Sequence, residues 1–228
     1  MHRTIPEKLS YTAMSQMTPS ESHDEQLYFV GKRVMDILLA GVLLVILLPL
    51  LVLISIAIAL ESPGPILVTQ ERVGSRRRTI DSQIRWEARN FRVLKFRTMR
   101  YAAPTPLPGS APPLVAADAQ MTWVGRILCS TWLDELPQLL NVLGGTMSLV
   151  GPRAVPTYEV AEYQDWHRER LKAIPGIVGL WQVSPHLNAS FDEQVRTDIT
   201  YVRSRSLWLD IKILALTIPA LLIGRSHN

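Results

Sequence analysis

The chain has 228 residues, of which 47% are hydrophobic and 19% are charged. This length predicts about one domain, and an apolar content above that of an average soluble domain excludes intrinsic disorder and collagen-like repetition. The single cysteine, Cys129, excludes an internal disulfide, and the lack of any CxxC or Cys/His ligand cluster excludes a structural zinc site. With a net charge of +4, an anionic partner is indicated only where positive residues cluster.

An uncharged, nearly unbroken apolar run extends from Ile37 to Leu60. Residues 1–30 before it are predicted to form a flexible tail, since residues 1–28 are polar and carry no helical or strand periodicity. As a helix, the run would be about 36 Å long, which exceeds the bilayer hydrocarbon core of about 30 Å. It lies too far from the N-terminus for a cleavable signal peptide. We therefore predict a membrane helix over residues 31–61.

Basic residues flank this run on both sides. Lys32 and Arg33 precede it. The basic residues that follow it are Arg72, Arg76, Arg77, Arg78, Arg85, Arg89, Arg92, Lys95, Arg97 and Arg100. Basic flanks stay cytoplasmic, so both favour one side, and a straight span can satisfy only one of them. Pro49 offers a kink for a re-entrant helix that enters and leaves through one leaflet, with a single-pass helix containing a tolerated proline as the alternative.

The segment after the run predicts a basic β-hairpin and then a loop. Ser62-Pro63-Gly64-Pro65 ends the helix, and a strand over residues 66–73 is predicted to pair with a strand over residues 91–98. Residues 101–120 follow, and their repeated prolines predict an extended surface loop.

The remainder of the chain predicts helices. Residues 123–143 carry leucines at the spacing of a buried stripe, namely Leu136, Leu139, Leu140 and Leu143. Further helices are predicted over residues 157–172 and 192–201, and an interfacial or buried helix over residues 207–224. The predicted fold class is α+β and mainly helical. A membrane helix precedes a membrane-associated cytoplasmic domain over residues 62–228, which contains a small β-hairpin and amphipathic helices.

Two adjacent acids, Asp134 and Glu135, lie in the most apolar part of the second half of the chain. Pro137 is tolerated only in the first turn of a helix, so it places these acids at a helix start or at a kink. Free backbone N–H groups and the positive end of the helix dipole suit a phosphate and a metal-bound carboxylate. The alternative is a pair of acids that only complements the dipole.

Basic residues that can hold phosphate lie on both sides of this pair in the sequence. Arg153 follows the rigid Gly151-Pro152 turn, and Lys95 and Arg97 belong to the basic hairpin. Arginine forks and lysine charges are common ligands of pyrophosphate oxygens. A basic hairpin beside a membrane can also simply face lipid headgroups. Taken together, these acids and bases beside a membrane segment indicate phosphoryl chemistry on a membrane substrate.

Several motifs occur in a fixed order along the chain. They are Lys32-Arg33-Val34-Met35-Asp36, Ser62-Pro63-Gly64-Pro65, Gln70-Glu71-Arg72-Val73-Gly74, Lys95-Phe96-Arg97-Thr98-Met99, Leu133-Asp134-Glu135-Leu136-Pro137-Gln138-Leu139, Asn141-Val142-Leu143, Met147-Ser148-Leu149-Val150-Gly151-Pro152-Arg153, Pro175-Gly176-Ile177, Trp181-Gln182-Val183 and Leu209-Asp210-Ile211-Lys212. This order resembles that of the bacterial sugar transferases, the monotopic phosphoglycosyl transferases. The resemblance covers roughly residues 31 to 222.

The resemblance implies an enzyme that transfers a sugar 1-phosphate from a UDP-sugar to a polyprenyl phosphate such as undecaprenyl phosphate. In this family the reaction occurs on the cytoplasmic face of the bacterial inner membrane. It initiates the synthesis of exopolysaccharide, capsule, lipopolysaccharide O-antigen or glycoconjugates. Family membership also favours the re-entrant form of the membrane helix over the spanning one.

The resemblance further implies roles for individual residues. Asp134 would attack the sugar-bearing phosphorus and form a covalent phosphosugar aspartate, which the polyprenyl phosphate then attacks. Glu135 would assist with the metal or position the acceptor, and Mg²⁺ at Asp134 and Glu135 would neutralise charge on the phosphate oxygens. The residues expected to bind substrate are Lys95, Arg97, Arg153, Asp198 and His186.

The chain departs from the family pattern at three places. Leu48, not the common serine, precedes Pro49. Cys129 stands where the family usually has an arginine, and Ser184-Pro185-His186 stands where Asn-Gly-Arg is usual. Two expected positive charges are therefore missing, and a catalytically impaired, membrane-anchored scaffold is the alternative function.

The expected partners are the UDP-sugar, the polyprenyl phosphate and membrane phospholipids. Nucleic acid is not expected at Arg76-Arg77-Arg78, because the adjacent membrane already supplies an anionic surface. The sequence leaves the sugar, the glycan pathway and the oligomeric state open, a homo-oligomer included.

Overall fold

The computed structural model describes residues 23–80, 83–100, 121–184 and 190–222. Its α-helices are α1 (His23–Glu61), α2 (Trp123–Thr131), α3 (Gln138–Leu143), α4 (Thr157–Ala161), α5 (Phe191–Ser204) and α6 (Leu207–Leu222). Short 3₁₀-helices cover Leu133–Glu135, Asp165–Leu171 and Trp181–Val183. The strands are β1 (Leu67–Ile80), β2 (Gln83–Phe96), β3 (Ser148–Val150) and β4 (Gly176–Val178). The prediction of a mainly helical fold with a small antiparallel hairpin is confirmed.

Helix α1 is the longest element, with 39 residues including Pro49. It begins at His23, so residues 23–30 are helical where a flexible tail was predicted; the rest of the predicted tail lies outside the described residues. By length and composition, α1 is able to cross a membrane, and little of its most apolar window is buried in the protein. Its exposed large apolar side chains include Leu38, Val42, Val45, Ile46, Leu53 and Leu60.

The N-terminal part of α1 is tied to the globular domain by polar contacts. The Asp36 carboxylate accepts hydrogen bonds from the Ser148 hydroxyl at 2.7 Å and from the Leu149 N–H at 3.0 Å. The Arg33 guanidinium donates to the carbonyls of Val142 at 2.6 Å and Leu143 at 2.8 Å, at the C-terminal end of α3. Cations at helix C-termini stabilise the carbonyls that have no partner within the helix.

The C-terminal part of α1 contacts the same domain. Ile54 and Ile58 are buried in one cluster with Phe96, at the end of β2, and Leu128 of α2. The Glu61 carboxylate accepts from two backbone N–H groups at the start of α2. Both ends of the long helix therefore pack against one domain.

The hairpin of β1 and β2 has the predicted pairing but is longer than predicted. Its antiparallel register runs from Leu67 opposite Phe96 to Ile80 opposite Gln83. Asn141 of α3 binds the outer edge of β2, accepting from the Leu94 N–H at 2.9 Å and donating to the Arg92 carbonyl at 2.8 Å. The hairpin is thus fixed to the helical part of the domain by hydrogen bonds between one side chain of α3 and the backbone of β2.

The predicted helices of the second half are confirmed in place but not in continuity. Residues 123–143 form α2, a 3₁₀ turn and α3, and Leu140 is 46% exposed although the leucine stripe predicted it to be buried. The buried side chains of α3 are Gln138, Leu139, Asn141 and Val142, so the face of α3 that packs against the domain does not include Leu140. Residues 157–172 form α4 and a separate 3₁₀-helix. The predicted loop over residues 101–120 lies outside the described residues.

The main core lies between α1, α3, β3 and α6. Its fully buried members include Ala40, Val142, Val150 and Ile213. Strand β3 pairs in parallel with β4 beside this core. The turn that follows β3 carries Arg153 toward the site described next.

Candidate active site

A cavity of about 270 Å³ opens where the hairpin, α2 and the β3–β4 pair meet. It is lined by Arg72, Val93, Lys95, Cys129, Trp132, Asp134, Glu135, Gln138, Met147, Arg153, Ala154, Gly176, Ile177, Trp181 and Gln182. Four of the predicted site residues, Lys95, Asp134, Glu135 and Arg153, are among them. Separate parts of the sequence therefore bring acids and cations to one concave site.

The hairpin contributes a row of side chains from one face. Lys95 lies opposite Val68, Val93 opposite Gln70, and Phe91 opposite Arg72. Directly opposed residues share a face, and every second residue along a strand returns to it. Arg72, Val93 and Lys95 consequently point to the same side, and all three line the cavity.

Asp134 and Glu135 lie in the 3₁₀ turn between α2 and α3. Helix α2 ends at Thr131 with Trp132 as its cap, and Pro137 immediately precedes α3, as the sequence predicted for a helix start. The Lys95 ammonium contacts Asp134 Oδ2 at 3.4 Å and Glu135 Oε1 at 2.7 Å. One ammonium group therefore contacts two adjacent carboxylates.

The environment of Asp134 disfavours its charge. Burial raises the pKa of the Asp134 carboxyl, and the neighbouring Glu135 carboxylate raises it further, whereas the Lys95 ammonium opposes both effects. Burial also raises the pKa of the Cys129 thiol, so Cys129 contributes a neutral wall to the cavity. The Lys95 ammonium is therefore the main influence that favours the ionised form of Asp134.

Arg153 and Arg72 add two guanidinium groups to the cavity. Arg153 follows the Gly151-Pro152 turn, and its backbone bridges to Gly176. A side chain on Gly176 would place its Cβ 2.1 Å from the Gly151 nitrogen, so this approach requires a glycine. Burial and the positive charge of Arg153 lower the pKa of Arg72. Because the two guanidinium groups repel each other, an anion bound between them would be stabilised by both positive charges.

Asp198 is not among the residues that line the cavity. It is fully buried and paired with the Arg170 guanidinium, which also contacts Glu159 at 3.4 Å. Burial raises the pKa of Asp198 to about 6, and the Arg170 charge and the Arg153 backbone oppose that rise. Asp198 therefore supports the segment that carries Arg153.

Arg97 was expected to bind substrate, and the structure places it away from the cavity lining. Its guanidinium donates to the carbonyls of Ile58 at 3.2 Å, Ser62 at 2.6 Å and Pro63 at 3.0 Å, and it does not line the cavity. It lies just past the end of β2, where strand alternation no longer sets the side-chain direction. Its partners are carbonyls in the last turn of α1 and just after it, where a cation stabilises the negative end of the helix dipole. His186 lies outside the described residues.

The sequence did not single out several cavity residues as site residues. They are Arg72, Trp132, Gln138, Trp181 and Gln182. Arg72 could have been found from the hairpin register, because it shares a face with Lys95. Whether the other four residues face the cavity depends on the packing of segments that are far apart in the sequence, and hydrophobic periodicity does not predict such packing.

The carboxylate pair is the part of the cavity that could hold a metal. Within the described ranges, no cluster of three or more His, Cys, Asp or Glu side chains forms a metal site. Mg²⁺ is commonly bound by one or two carboxylates together with substrate phosphates. Asp134 and Glu135 fit that pattern, and the contacts of Lys95 engage one oxygen of each.

Comparison with known proteins places the chain among transferases. The family model described as bacterial sugar transferase matches residues 27–224. The UDP-glucose:undecaprenyl-phosphate glucose-1-phosphate transferase of Caulobacter vibrioides is 40% identical over 200 residues, which are 84% of this chain and 69% of that protein. The exopolysaccharide production protein ExoY of Rhizobium meliloti is 34% identical over 86% of this chain and 87% of its own length. The galactosyl transferase CpsE of Streptococcus agalactiae is 33% identical over 94% of this chain, which spans 47% of that protein.

Proposed function

The chain belongs to the bacterial sugar transferase family, and we propose that it transfers a sugar 1-phosphate from a UDP-sugar to a polyprenyl phosphate. The observation that carries this proposal is the cavity in which Lys95 holds Asp134 and Glu135 beside Arg72 and Arg153. A buried nucleophile next to phosphate-binding cations is what phosphoryl transfer requires.

The cations suit the diphosphate of the donor. Lys95, Arg72 and Arg153 bring three positive groups to a cavity that also holds two carboxylates. Guanidinium forks bind phosphate oxygens in pairs, and a lysine acts as a point charge. Arg72 supplies a positive charge within a site from which the family's usual arginine at position 129 is missing. A catalytically impaired scaffold is accordingly not favoured.

In the first step, a carboxylate oxygen of Asp134 attacks the sugar-bearing phosphorus. A bond forms between this oxygen and phosphorus, the bond from phosphorus to the bridging oxygen breaks, and UMP leaves with its electron pair. Asp134 must be ionised to attack, and the Lys95 ammonium favours that state. The product of this step is a phosphosugar aspartate.

In the second step, an oxygen of the polyprenyl phosphate attacks the same phosphorus. The bond between phosphorus and Asp134 breaks, the carboxylate is regenerated, and a polyprenyl diphosphate sugar is formed. Glu135 is placed beside Asp134 to orient the incoming phosphate or the metal. Mg²⁺ at the Asp134–Glu135 pair would neutralise charge on the phosphate oxygens.

We further propose that α1 is re-entrant and that both of its ends lie on the cytoplasmic side of the bacterial inner membrane. A straight helix of 39 residues would be about 58 Å long, so its ends would lie on opposite sides of a bilayer. Asp36 near one end and Ile58 near the other both contact the same globular domain. A domain that keeps both contacts cannot occupy both sides of a membrane, which supports entry and exit through one leaflet.

The chemistry is tested by release of UMP from a panel of UDP-sugars. The full chain in nanodiscs is supplied with Mg²⁺ and undecaprenyl phosphate, beside an Asp134→Asn variant. We expect release with at least one donor, dependent on Asp134, and a phosphosugar adduct that forms without the lipid. No release across the panel by folded protein, or an adduct that survives Asp134→Asn, would contradict the proposal.

The topology is tested by labelling single cysteines in a Cys129→Ser background. Ser10→Cys and Thr157→Cys are treated with an impermeant thiol reagent in intact and permeabilised cells. The re-entrant form predicts that both positions are shielded until the cells are permeabilised. Labelling of position 10 but not of position 157 in intact cells would mean a full span.

A further inference from the structure

We infer that Trp132 binds the sugar of the donor nucleotide and that its indole forms one wall of the sugar pocket. The inference rests on the proposed function and goes beyond it by naming a residue for sugar recognition.

Trp132 has φ 62° and ψ 10°, a left-handed conformation. Among the described residues it is the only one other than glycine with a positive φ. This backbone conformation is unfavourable for any residue with a Cβ atom but not for glycine, and bulky side chains are rarely found in it. The strained residue, Trp132, caps α2 and directly precedes the turn that contains Asp134.

Ending the helix does not require a tryptophan. The Trp132 N–H donates to the Cys129 carbonyl at 3.4 Å, as the residue after a helix commonly does. Glycine or asparagine makes the same turn with less strain. A tryptophan at this position therefore indicates that the ring is useful in a way that outweighs the backbone cost.

The Trp132 side chain is half-buried and lines the cavity beside the acids. Strained residues held by their surroundings cluster at ligand sites, where they fix a side chain in its binding position. Trp181 lines the same cavity, as do the amide side chains of Gln138 and Gln182. Aromatic faces with a few amide groups are the usual lining of a small-molecule site. A pyranose ring offers such a lining its C–H face and its hydroxyls.

The direction of attack assigns Trp132 to the sugar and not to the uracil. In a phosphoryl transfer, the attacking and leaving oxygens lie roughly in line, so UMP leaves on the side opposite Asp134. The uracil is separated from the attacked phosphorus by a phosphate and a ribose, whereas the sugar is attached through one oxygen. Trp132 is only two residues from Asp134 and lines the same cavity, so we assign its ring to the sugar.

The test uses the full chain in nanodiscs and the variants Trp132→Gly and Trp132→Phe. Glycine removes the ring and relieves the backbone, and phenylalanine keeps an aromatic face. We expect Trp132→Gly to raise KM for the UDP-sugar about tenfold with kcat little changed, because a contact with the bound donor is lost. We expect Trp132→Phe to stay within about threefold of the wild type, since a smaller part of the aromatic face is lost. The Ki of UDP, which has no sugar, should be unchanged in both variants.

Melting temperature separates binding from structure. Relief of the left-handed backbone offsets lost packing, so Trp132→Gly should melt within about 3 °C of the wild type. Trp166→Ala, a tryptophan outside the cavity lining, is the matched control and should leave KM unchanged. A lower melting temperature with unchanged KM would make Trp132 structural and overturn the inference. An equal loss of UDP affinity would place the ring on the nucleotide and also overturn it. If the wild type itself releases no UMP, the proposed function fails, whereas an active wild type with an unchanged Trp132→Gly variant rejects only this inference.

Discussion

Two lysine–aspartate pairs in this protein differ in their burial and in the hydrogen bonds that the carboxylate accepts. At the start of α1, the Lys32 ammonium lies 2.9 Å from Asp210 Oδ2, and the two side chains are 8% and 0% exposed. Tyr201 donates to the other oxygen of Asp210 at 2.7 Å, and Tyr28 donates at 3.2 Å. This carboxylate is enclosed, and both of its oxygens are bonded.

In the cavity, the Lys95 ammonium lies 3.4 Å from Asp134 Oδ2, and the side chains are 23% and 12% exposed. The same ammonium is closer to Glu135, at 2.7 Å. One cation is shared by two carboxylates, so its charge does not balance both. A saturated, enclosed pair fixes the position of a helix, whereas an open and unbalanced pair keeps a carboxylate available for reaction.

The largest effect that separates the two pairs is expected for Asp134→Asn. We expect turnover to fall by about 10⁴-fold or more, because the amide cannot attack phosphorus. Stability should be kept or slightly increased, since burial disfavours the carboxylate. UMP release and thermal unfolding measure the two quantities on one preparation. A variant that retains activity would move the nucleophile elsewhere.

The opposite pattern is expected for Asp210→Asn. Removal of this charge leaves the buried Lys32 ammonium without its partner, which costs about 3–5 kcal/mol of folding free energy. Thermal unfolding in the same nanodiscs detects this as a large fall in melting temperature. The double variant with Lys32→Met should lose less than the sum of the single changes. Additive losses would show that the pair is not coupled.

Lys95→Met tests the assigned role of the cavity lysine. Without the ammonium, the pKa of Asp134 rises further, so the ionised nucleophile is present only at higher pH. The acid limb of the kcat/KM profile should therefore move to higher pH, and kcat/KM at neutral pH should fall by roughly 10²- to 10³-fold. Lys32→Met is the matched control and should leave the acid limb in place. An unshifted limb in Lys95→Met would mean that another group keeps Asp134 ionised.

The smallest expected effect distinguishes Arg97 from Arg153. Arg97→Met removes the cation from the carbonyls at the end of α1 and should cost about 2 kcal/mol of stability. Arg153→Met should leave the melting temperature unchanged and raise KM for the donor, because Arg153 is exposed in the cavity. Thermal unfolding and steady-state kinetics compare the variants directly. Equal effects on KM would return Arg97 to the substrate site.

The local parts of the fold could be predicted from the sequence. The pairing of residues 66–73 with residues 91–98 follows from alternation, and the start of α3 follows from Pro137. The position of Arg153 at a rigid turn was also visible. These features depend on neighbours along the chain, to which residue patterns respond.

The remaining features depend on contacts between distant segments. Lys95 and Arg97 are two residues apart in one basic motif, yet one lines the cavity and the other binds the end of α1. Leu140 fits the predicted stripe and is exposed, because the face of α3 that packs against the domain is formed by Gln138, Leu139, Asn141 and Val142. A periodic pattern identifies a face, but the packing of other segments decides what that face meets.

The contacts of α1 have a consequence for how the protein can be produced. A version trimmed of its N-terminal helix would expose Phe96 and Leu128, which α1 now covers, and would remove the Ile58 carbonyl that accepts from Arg97. Because Arg97 is only two residues from Lys95, that damage would reach Lys95 and the two carboxylates that it contacts. Soluble expression of the isolated globular part is therefore a poor route to active material, and amphiphile-stabilised preparations must retain the helix.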